Sequence, residues 1–415
     1  MERILTMRAP ILSAVAVVLM SCVHGPGADP SLPPLPSEPS AVVISSDYLS
    51  SSVGFLNDSA EVLIPRWLHS GTTAPGLSTA LSGDVVLPTE APPPGELLLI
   101  DRLGVDLITR IAVPGGVVLG QHATAAGFPG QAAFRSNPHD AIYLSASRLL
   151  VSRFEPNIAP DAPRLNRGND LIEIDLLTNT IVRRIDFGEL DQNLAGRRLY
   201  ARPSRMVSRG ADLLVGLGRL SLDFRHTGAG AVAFLPRDLS QAPTAFPLPE
   251  ASGCSHVAPV PGVETLALVT CTGPSFSDET TRRSGAAIFI IDTLSRSLIH
   301  AHRAPVDEAA PAVMAGALAL SPTQALAIGS NVDGMQSAYL VDFESNLQTP
   351  LLQAERPFTL GVPSYRDGEL LIPDAARGAI VRFEVQPRGD LTRRPDLPLS
   401  PGPALKPREI QHLFR

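Results

Sequence analysis

The sequence predicts an all-β protein: a seven-bladed β-propeller of four-stranded antiparallel blades, its ring closed by the C-terminal strand. Three observations predict it. A hairpin unit recurs seven times, the recurrences lie roughly 40–65 residues apart, and Pro 40 and Gly 33 in 415 residues supply many turns. The unit is clearest in Gly368-Glu369-Leu370-Leu371-Ile372-Pro373-Asp374-Ala375-Ala376-Arg377-Gly378-Ala379-Ile380-Val381-Arg382-Phe383-Glu384. This reads as an apolar strand, a short turn, and a second strand ending on an acid. One blade cannot bury both of its faces, so a ring must close.

Each unit carries the same step, an aliphatic residue followed by a small or turn-prone one. It occurs at Ile44-Ser45, Leu87-Pro88, Val151-Ser152, Val215-Gly216, Val269-Thr270, Ile328-Gly329 and Ile372-Pro373. A second apolar strand follows each time, at 53–56, 97–100, 171–174, 231–235, 287–291, 338–341 and 379–383. Most of these end on an acid or amide, including Asp101, Asp175, Asp292 and Asp342, where side-chain-capped turns are expected. Blade 1 lacks an innermost strand in its own stretch. Residues 408–414 have strand character and are assigned to complete it, bringing both chain ends into one blade.

The chain begins with a targeting segment, residues 1–22. Arg3 and Arg8 precede an apolar run at 9–20 that is too short to span a bilayer comfortably. A start at Met7 instead of Met1 leaves a more ordinary signal. The run ends in Leu19-Met20-Ser21-Cys22, which resembles the bacterial lipoprotein cleavage box. That resemblance implies lipidation of Cys22 as the first mature residue, and a lipid-anchored location in the bacterial cell envelope, at the outer membrane on its periplasmic or surface side. The other reading is an incidental cysteine after an ordinary secretory signal. Residues 23–40 are Pro, Gly and Ser with almost no large apolar group, so they are expected as a disordered tether before a propeller over 41–415.

A net charge of −7 leaves no electrostatic footprint for nucleic acid. Lys406 is the one lysine, so Schiff-base chemistry would depend on a residue in a Pro-rich tail. With Cys22 set aside, Cys254 and Cys271 remain, flanking the turn Pro261-Gly262-Val263-Glu264. Centring the hairpin at Gly262 and Val263 places the two cysteines opposite each other, and export implies a disulfide. A metal pair is the rival reading, but no third cysteine or close histidine pattern accompanies them.

Familiar catalytic motifs are absent: no HExxH, P-loop, CxxC or GxSxG. Gly228-Ala229-Gly230 precedes a strand rather than the helix a dinucleotide site needs. Asn331-Val332-Asp333-Gly334 lacks the carboxylates of a calcium loop, and His300 and His302 fall on an outer strand expected to be exposed. One constellation stands out. Asn137-Pro138-His139-Asp140 starts the innermost strand of blade 3, with Ser204 and Arg205, then Ser255 and His256, at the matching places of blades 4 and 5. Convergent His139, Asp140, Arg205 and His256 suit anion binding, metal binding or acid–base chemistry; equally, they suit backbone groups and ordered water of the channel. Arg153, Arg225 and His226 complete the candidate ligand-binding set. The connections at 155–169, 218–230 and 272–285 are long, so a polar, partly anion-seeking site is expected beside the channel on blades 3 to 5.

The step Leu268-Val269-Thr270-Cys271, with Ile328-Gly329-Ser330-Asn331 and the Ile-Asp strand endings, resembles the YVTN-type β-propeller repeat of bacterial exported proteins. The resemblance runs over 41–415 as a pattern, with no unit matching fully. It implies a seven-bladed propeller, often without known catalysis, whose like also occur as lactonases and quinoprotein subunits. No catalytic residue is carried over. The expected function is a lipid-anchored, monomeric envelope propeller, without cofactor or metal, binding a protein, glycan or small ligand. The alternatives are a lactonase-like hydrolase using His139, Asp140, Arg205 and His256, and an envelope scaffold with no pocket.

Overall fold

The strand Ala286–Asp292 shows what makes the ring necessary. Ala287, Phe289 and Ile291 pack with Val232 and Phe234 of the preceding blade, while Ala286, Ile288 and Ile290 pack with Ala325, Ala327 and Tyr339 of the following one. A strand sandwiched on both faces reads as a continuous apolar run rather than an alternating one. The computed structural model describes residues 32–59, 61–102, 104–125, 134–274, 283–303, 313–331, 333–386, 389–399 and 405–413. Residues 1–22, expected as a targeting segment, lie outside them, Cys22 included.

Seven four-stranded antiparallel sheets form the blades. From the channel outward, blade 1 is Lys406–His412, Ala41–Ser46, Ser51–Leu56 and Val62–His69. Blade 2 is Val85–Val86, Glu96–Asp101, Leu107–Ala112 and Val117–Ala123. Blade 3 is Pro138–Ser145, Arg148–Pro156, Gly168–Asp175 and Thr180–Asp186. Blade 4 is Pro203–Arg209, Asp212–Leu217, Ala229–Pro236 and Thr244–Ser252. Blade 5 is His256–Pro259, Leu266–Thr272, Ala286–Asp292 and Ser297–Arg303. Blade 6 is Val313–Ala319, Gln324–Ser330, Gln336–Asp342 and Leu347–Gln353. Blade 7 is Ser364–Arg366, Glu369–Asp374, Ala379–Val385 and Leu391–Pro398.

Among the described residues there are seven apolar clusters, one for each junction between neighbouring blades. The core is therefore an annulus of interfaces. The expected ring closure is present: Val43 pairs with Ile410 across the two chain ends, and the blade 7–1 cluster joins Ile380 to Ala41 and Ile410.

Two expectations need correcting. The step at Leu87-Pro88 does not lie in a ladder strand. Blade 2 keeps two residues of innermost strand, pairing Val85 with Asp101, and its second strand is Glu96–Asp101. The intervening stretch, with Pro88 and the run Pro92-Pro93-Pro94, lacks the N–H donors a ladder needs and leaves the sheet. The tether expected over 23–40 is ordered at its end: Leu32 and Leu35 are buried in the blade 1–2 cluster, and the Trp67 indole N–H donates to the Pro33 carbonyl at 2.6 Å. Two leucines in an interfacial groove supply the apolar burial that the composition of the segment as a whole lacks.

Cys254 and Cys271 form a disulfide, and both are fully buried. The register is one residue away from the expected facing pair, because His256 pairs with Thr270 and Pro259 with Ala267. Cys254 sits just before the strand, its carbonyl accepting the Leu217 N–H of blade 4 at 2.9 Å. The bridge therefore pins the blade 4–5 junction. It also explains Gly230, where a Cβ would stand 2.7 Å from the Cys254 sulfur. Closing a loop of 17 residues stabilises by about 3 kcal/mol in the chain-entropy account. Cys254→Ala/Cys271→Ala should lose that amount in denaturant unfolding. A midpoint within experimental error of the parent would show that the bridge contributes nothing.

Candidate functional site

The geometry of the site follows from strand direction. Each second strand ends where the innermost strand of its blade starts, as in Arg153 opposite Pro138 and Thr270 opposite His256. The starts of the innermost strands therefore share one face with the second-to-third-strand loops. At this face His139 Nδ1 lies 2.9 Å from Ser204 Oγ of blade 4, and Ser255 Oγ lies 3.1 Å from His256 Nδ1. His139 stacks on Phe154 with centroids 4.1 Å apart. Behind that ring the buried Arg202 guanidinium lies between Phe154 and Phe224, at 5.1 and 4.2 Å, with Glu155 as its ionic partner at 2.7 Å. The stack His139–Phe154–Arg202–Phe224 fixes the imidazole and joins the blade 3 and blade 4 loops.

Burial holds His139 well below the ordinary imidazole range, aided by the charges of Arg102, Arg205, His256 and Arg202. Burial, then Arg205 and Arg102, pushes His256 down to about 4. Both rings are neutral at neutral pH, able to donate from one nitrogen and accept at the other.

The acids beside them face inward. Asp140 is fully buried; one oxygen accepts the Thr89 N–H of the blade 2 stretch at 2.9 Å and the other the Met206 N–H of blade 4 at 2.6 Å. Burial raises its pKa against the opposing pull of Arg205 and those N–H groups. Glu409 accepts the Leu87 N–H at 3.0 Å and lies 3.5 Å from Arg205 Nη2. Arg205 Nη1 donates to the Leu87 carbonyl at 2.6 Å, Gln411 to that of Pro88 at 2.6 Å, and the Ser208 N–H to Glu90 at 2.7 Å. Residues 87–90 thus cross the channel as a strap, tied to the innermost strands of blades 1, 3 and 4.

The candidate residues separate accordingly. His139, Asp140, Arg205 and His256 come together. Arg153 turns away from the channel: fully buried, it holds Asp170 with two bonds at 2.7 and 2.8 Å and donates to the Thr124 carbonyl. Arg225 and His226 lie on a turn held by Ser221 and Asp223, next to Phe224 at the far end of the stack that begins with His139. Asp175, Asp292 and Asp342 cap turns as expected, accepting N–H groups two or three residues on. Asp101 does not; buried at the end of a second strand, it accepts from Ser82 and is pushed up to about 6. His302, expected exposed, is 2% exposed and meets Asn346 of blade 6 at 2.9 Å, because its side of an otherwise largely exposed outer strand lies against the next blade. His122 meets Asn179 of blade 3 in the same manner at 2.7 Å.

Beside the strap lies a cavity of about 440 Å³. Since the strap occupies the side of blades 2 to 4, the cavity extends toward blades 5, 6, 7 and 1. Arg205, His256, Gln336, Ser364, Arg408 and Glu409 supply its polar wall, and Val257, Leu360 and Val362 part of its apolar one. Sequence reasoning missed Arg408 and Glu409, although assigning the last strand to the innermost position already implied that it lines the channel. No local signal marks Gln336 or Tyr48. Of the three long loops, those of blades 3 and 4 fold onto the Arg202 stack, and most of the third lies outside the described residues.

Comparison with known proteins gives the fold. No family model matches the chain, and no curated protein matches it. Among solved structures it is similar to a putative 6-phosphogluconolactonase from Bacteroides uniformis, at 13% identity and a TM-score of 0.56, over 91% of this chain and 99% of that one. It is also similar to the periplasmic gluconolactonase of Pseudomonas aeruginosa, at 12% identity and a TM-score of 0.56, over 91% and 99%. Such a likeness defines the class, a seven-bladed β-propeller.

Partly buried, desolvated histidines that stay neutral make the structure acid-sensitive. His256 has a folded value of about 4 against an unfolded value near 6.5, so its contribution is intact above pH 6.5 and lost as the pH falls toward 4. Asp101, raised to about 6, works in the opposite sense, so the comparison must be made by difference. Relative to His256→Gln, the parent should lose about 2–3 kcal/mol between pH 7 and pH 4. Parallel stability curves would mean that His256 is not buried neutral.

Proposed function

We propose that this protein is a ligand-binding propeller that captures a small polar molecule in its central channel. The observation that carries the reading is the cavity of about 440 Å³ beside Arg205, His256, Arg408 and Glu409. Its volume is within the range of about 300–1,000 Å³ for small-ligand sites, with convergent polar groups on a partly apolar wall. Arg205 lies 3.5 Å from the Glu409 carboxylate and Arg408 adds a second positive charge to the lining, so an anionic or hydroxyl-rich ligand suits it. The hydrolase reading, which the names of the two structural neighbours invite, has less support. Both oxygens of Asp140 accept backbone N–H groups, Glu409 already bonds the Leu87 N–H, and a His256 held near 4 is a poor general base at neutral pH. Titration calorimetry with D-gluconate, D-glucose and citrate tests the binding reading. Arg205→Gln should weaken any captured probe at least tenfold; if neither these three nor galactose, N-acetylglucosamine, glucuronate, cellobiose or maltose binds the parent protein, the channel is not a ligand site.

We further propose export and lipid anchoring through Cys22. The Cys254–Cys271 bridge supports export, since disulfides persist in oxidising compartments. Cys22→Ser should move the protein from the detergent phase to the aqueous phase, or leave an uncleaved precursor. Unchanged mass and partitioning would sink the anchor.

A further inference from the structure

Two bulky residues at the cavity mouth stand in a backbone conformation that large side chains avoid. Tyr48 has φ 67° and Phe358 has φ 54°, and both line the cavity. Both rings also face solvent, at 65% and 66% exposure. A left-handed backbone costs roughly 1–2 kcal/mol for such a residue, and an exposed ring forgoes the gain of burial. Neither ring belongs to the apolar clusters that join the blades.

The neighbouring residues nevertheless hold the two rings in place. The Tyr48 N–H donates to Ser46 Oγ at 2.8 Å, and Asp47 accepts the N–H groups of Leu49 and Ser50 at 2.9 and 2.7 Å. Gly83 backs this turn so closely that a Cβ there would lie 2.3 Å from the Tyr48 carbonyl carbon. The Phe358 N–H donates to the Gly334 carbonyl at 3.0 Å, and the ring lies over Gly334, where a Cβ would come within 2.3 Å of it. Arg408 joins the two positions. Its guanidinium carbon is 4.9 Å from the Tyr48 ring centroid, and its Nη1 donates to the Phe358 carbonyl at 2.8 Å.

Resting on the channel-binding reading above, we propose that Tyr48 and Phe358 are stacking platforms for a pyranose ring, so that the ligand of this cavity is a saccharide whose end enters the channel. A pyranose has an apolar C–H face that packs on an aromatic ring, and a rim of hydroxyls that both donate and accept. The wall behind the mouth supplies both kinds of partner: Arg205 and Arg408 keep guanidinium N–H groups, and Glu409 keeps carboxylate lone pairs, beyond the bonds they already make, whereas Gln336 and Ser364 are engaged with Leu360 and His412. A compact anion would have no use for two exposed rings. A purely apolar guest would leave the polar wall without exchange for its lost water.

The test uses the full-length protein with glucose, galactose, N-acetylglucosamine, glucuronate, cellobiose and maltose, followed by calorimetry and saturation-transfer NMR. Citrate and the peptide Ala-Phe-Ala serve as non-saccharide probes. At least one saccharide should bind, and Tyr48→Asn and Phe358→Asn should each weaken it tenfold or more. Asparagine tolerates the left-handed backbone, so these variants should melt at or above the parent temperature, which loss of a merely structural ring would not produce. Phe358→Tyr should retain binding. Saccharide binding unchanged in both Asn variants overturns the proposal, as does capture of the peptide with no saccharide. Citrate binding that is lost in Arg205→Gln but not in the Asn variants, with no saccharide bound, overturns it while leaving the channel reading intact. No binding by any probe removes both.

Discussion

Everything in this structure depends on burial of each blade from both sides. A strand such as Ala286–Asp292 is useful only if a neighbouring blade covers each face, and a linear stack would always leave two faces wet. Closure removes those faces, and the chain achieves it by returning Lys406–His412 to the side of Ala41–Ser46. The last strand to be made is thereby the one by which blade 1 lines the channel. Arg408 and Glu409 acquire their place in the cavity from the same event that completes the fold.

A ring of blades leaves polar strand starts at its centre, and the chain fills part of that space with its own backbone. The strap at 87–90 brings N–H and C=O groups into a region with little water, where each must find a partner. Asp140, Glu409, Arg205 and Gln411 provide them. Side chains that resemble a catalytic cluster on paper are thus mostly engaged in holding the strap. The half of the channel that the strap leaves free becomes the cavity. The offset of the site toward blades 5, 6, 7 and 1 follows from where the prolines of blade 2 force the chain out of its ladder.

The fold was largely legible in the sequence because propeller periodicity is local. An apolar run, a turn acid and a second run, repeated seven times, carry their own explanation, and the turn roles of Asp175, Asp292 and Asp342 follow from position in the unit. The reading failed in blade 2, where Leu87-Pro88 imitates the step of its neighbours but stands where proline abolishes pairing. It failed again for His302, since one side of an outer strand that is otherwise exposed lies against the next blade in a ring.

By itself, then, the sequence determined the class of fold, the number of repeats, the strand that closes the ring, and the pair of cysteines. These rest on residues near one another in the chain or on the chain ends. Which charges face the cavity was decided by tertiary structure alone. Arg153 and Arg205 are both arginines near the channel end of a strand, yet one is buried on Asp170 and the other reaches the cavity. Tyr48 and Phe358 are 310 residues apart and meet only through Arg408, on the strand that arrives last. No local pattern records such a meeting, because it is set by where blades 7 and 1 come to rest against each other.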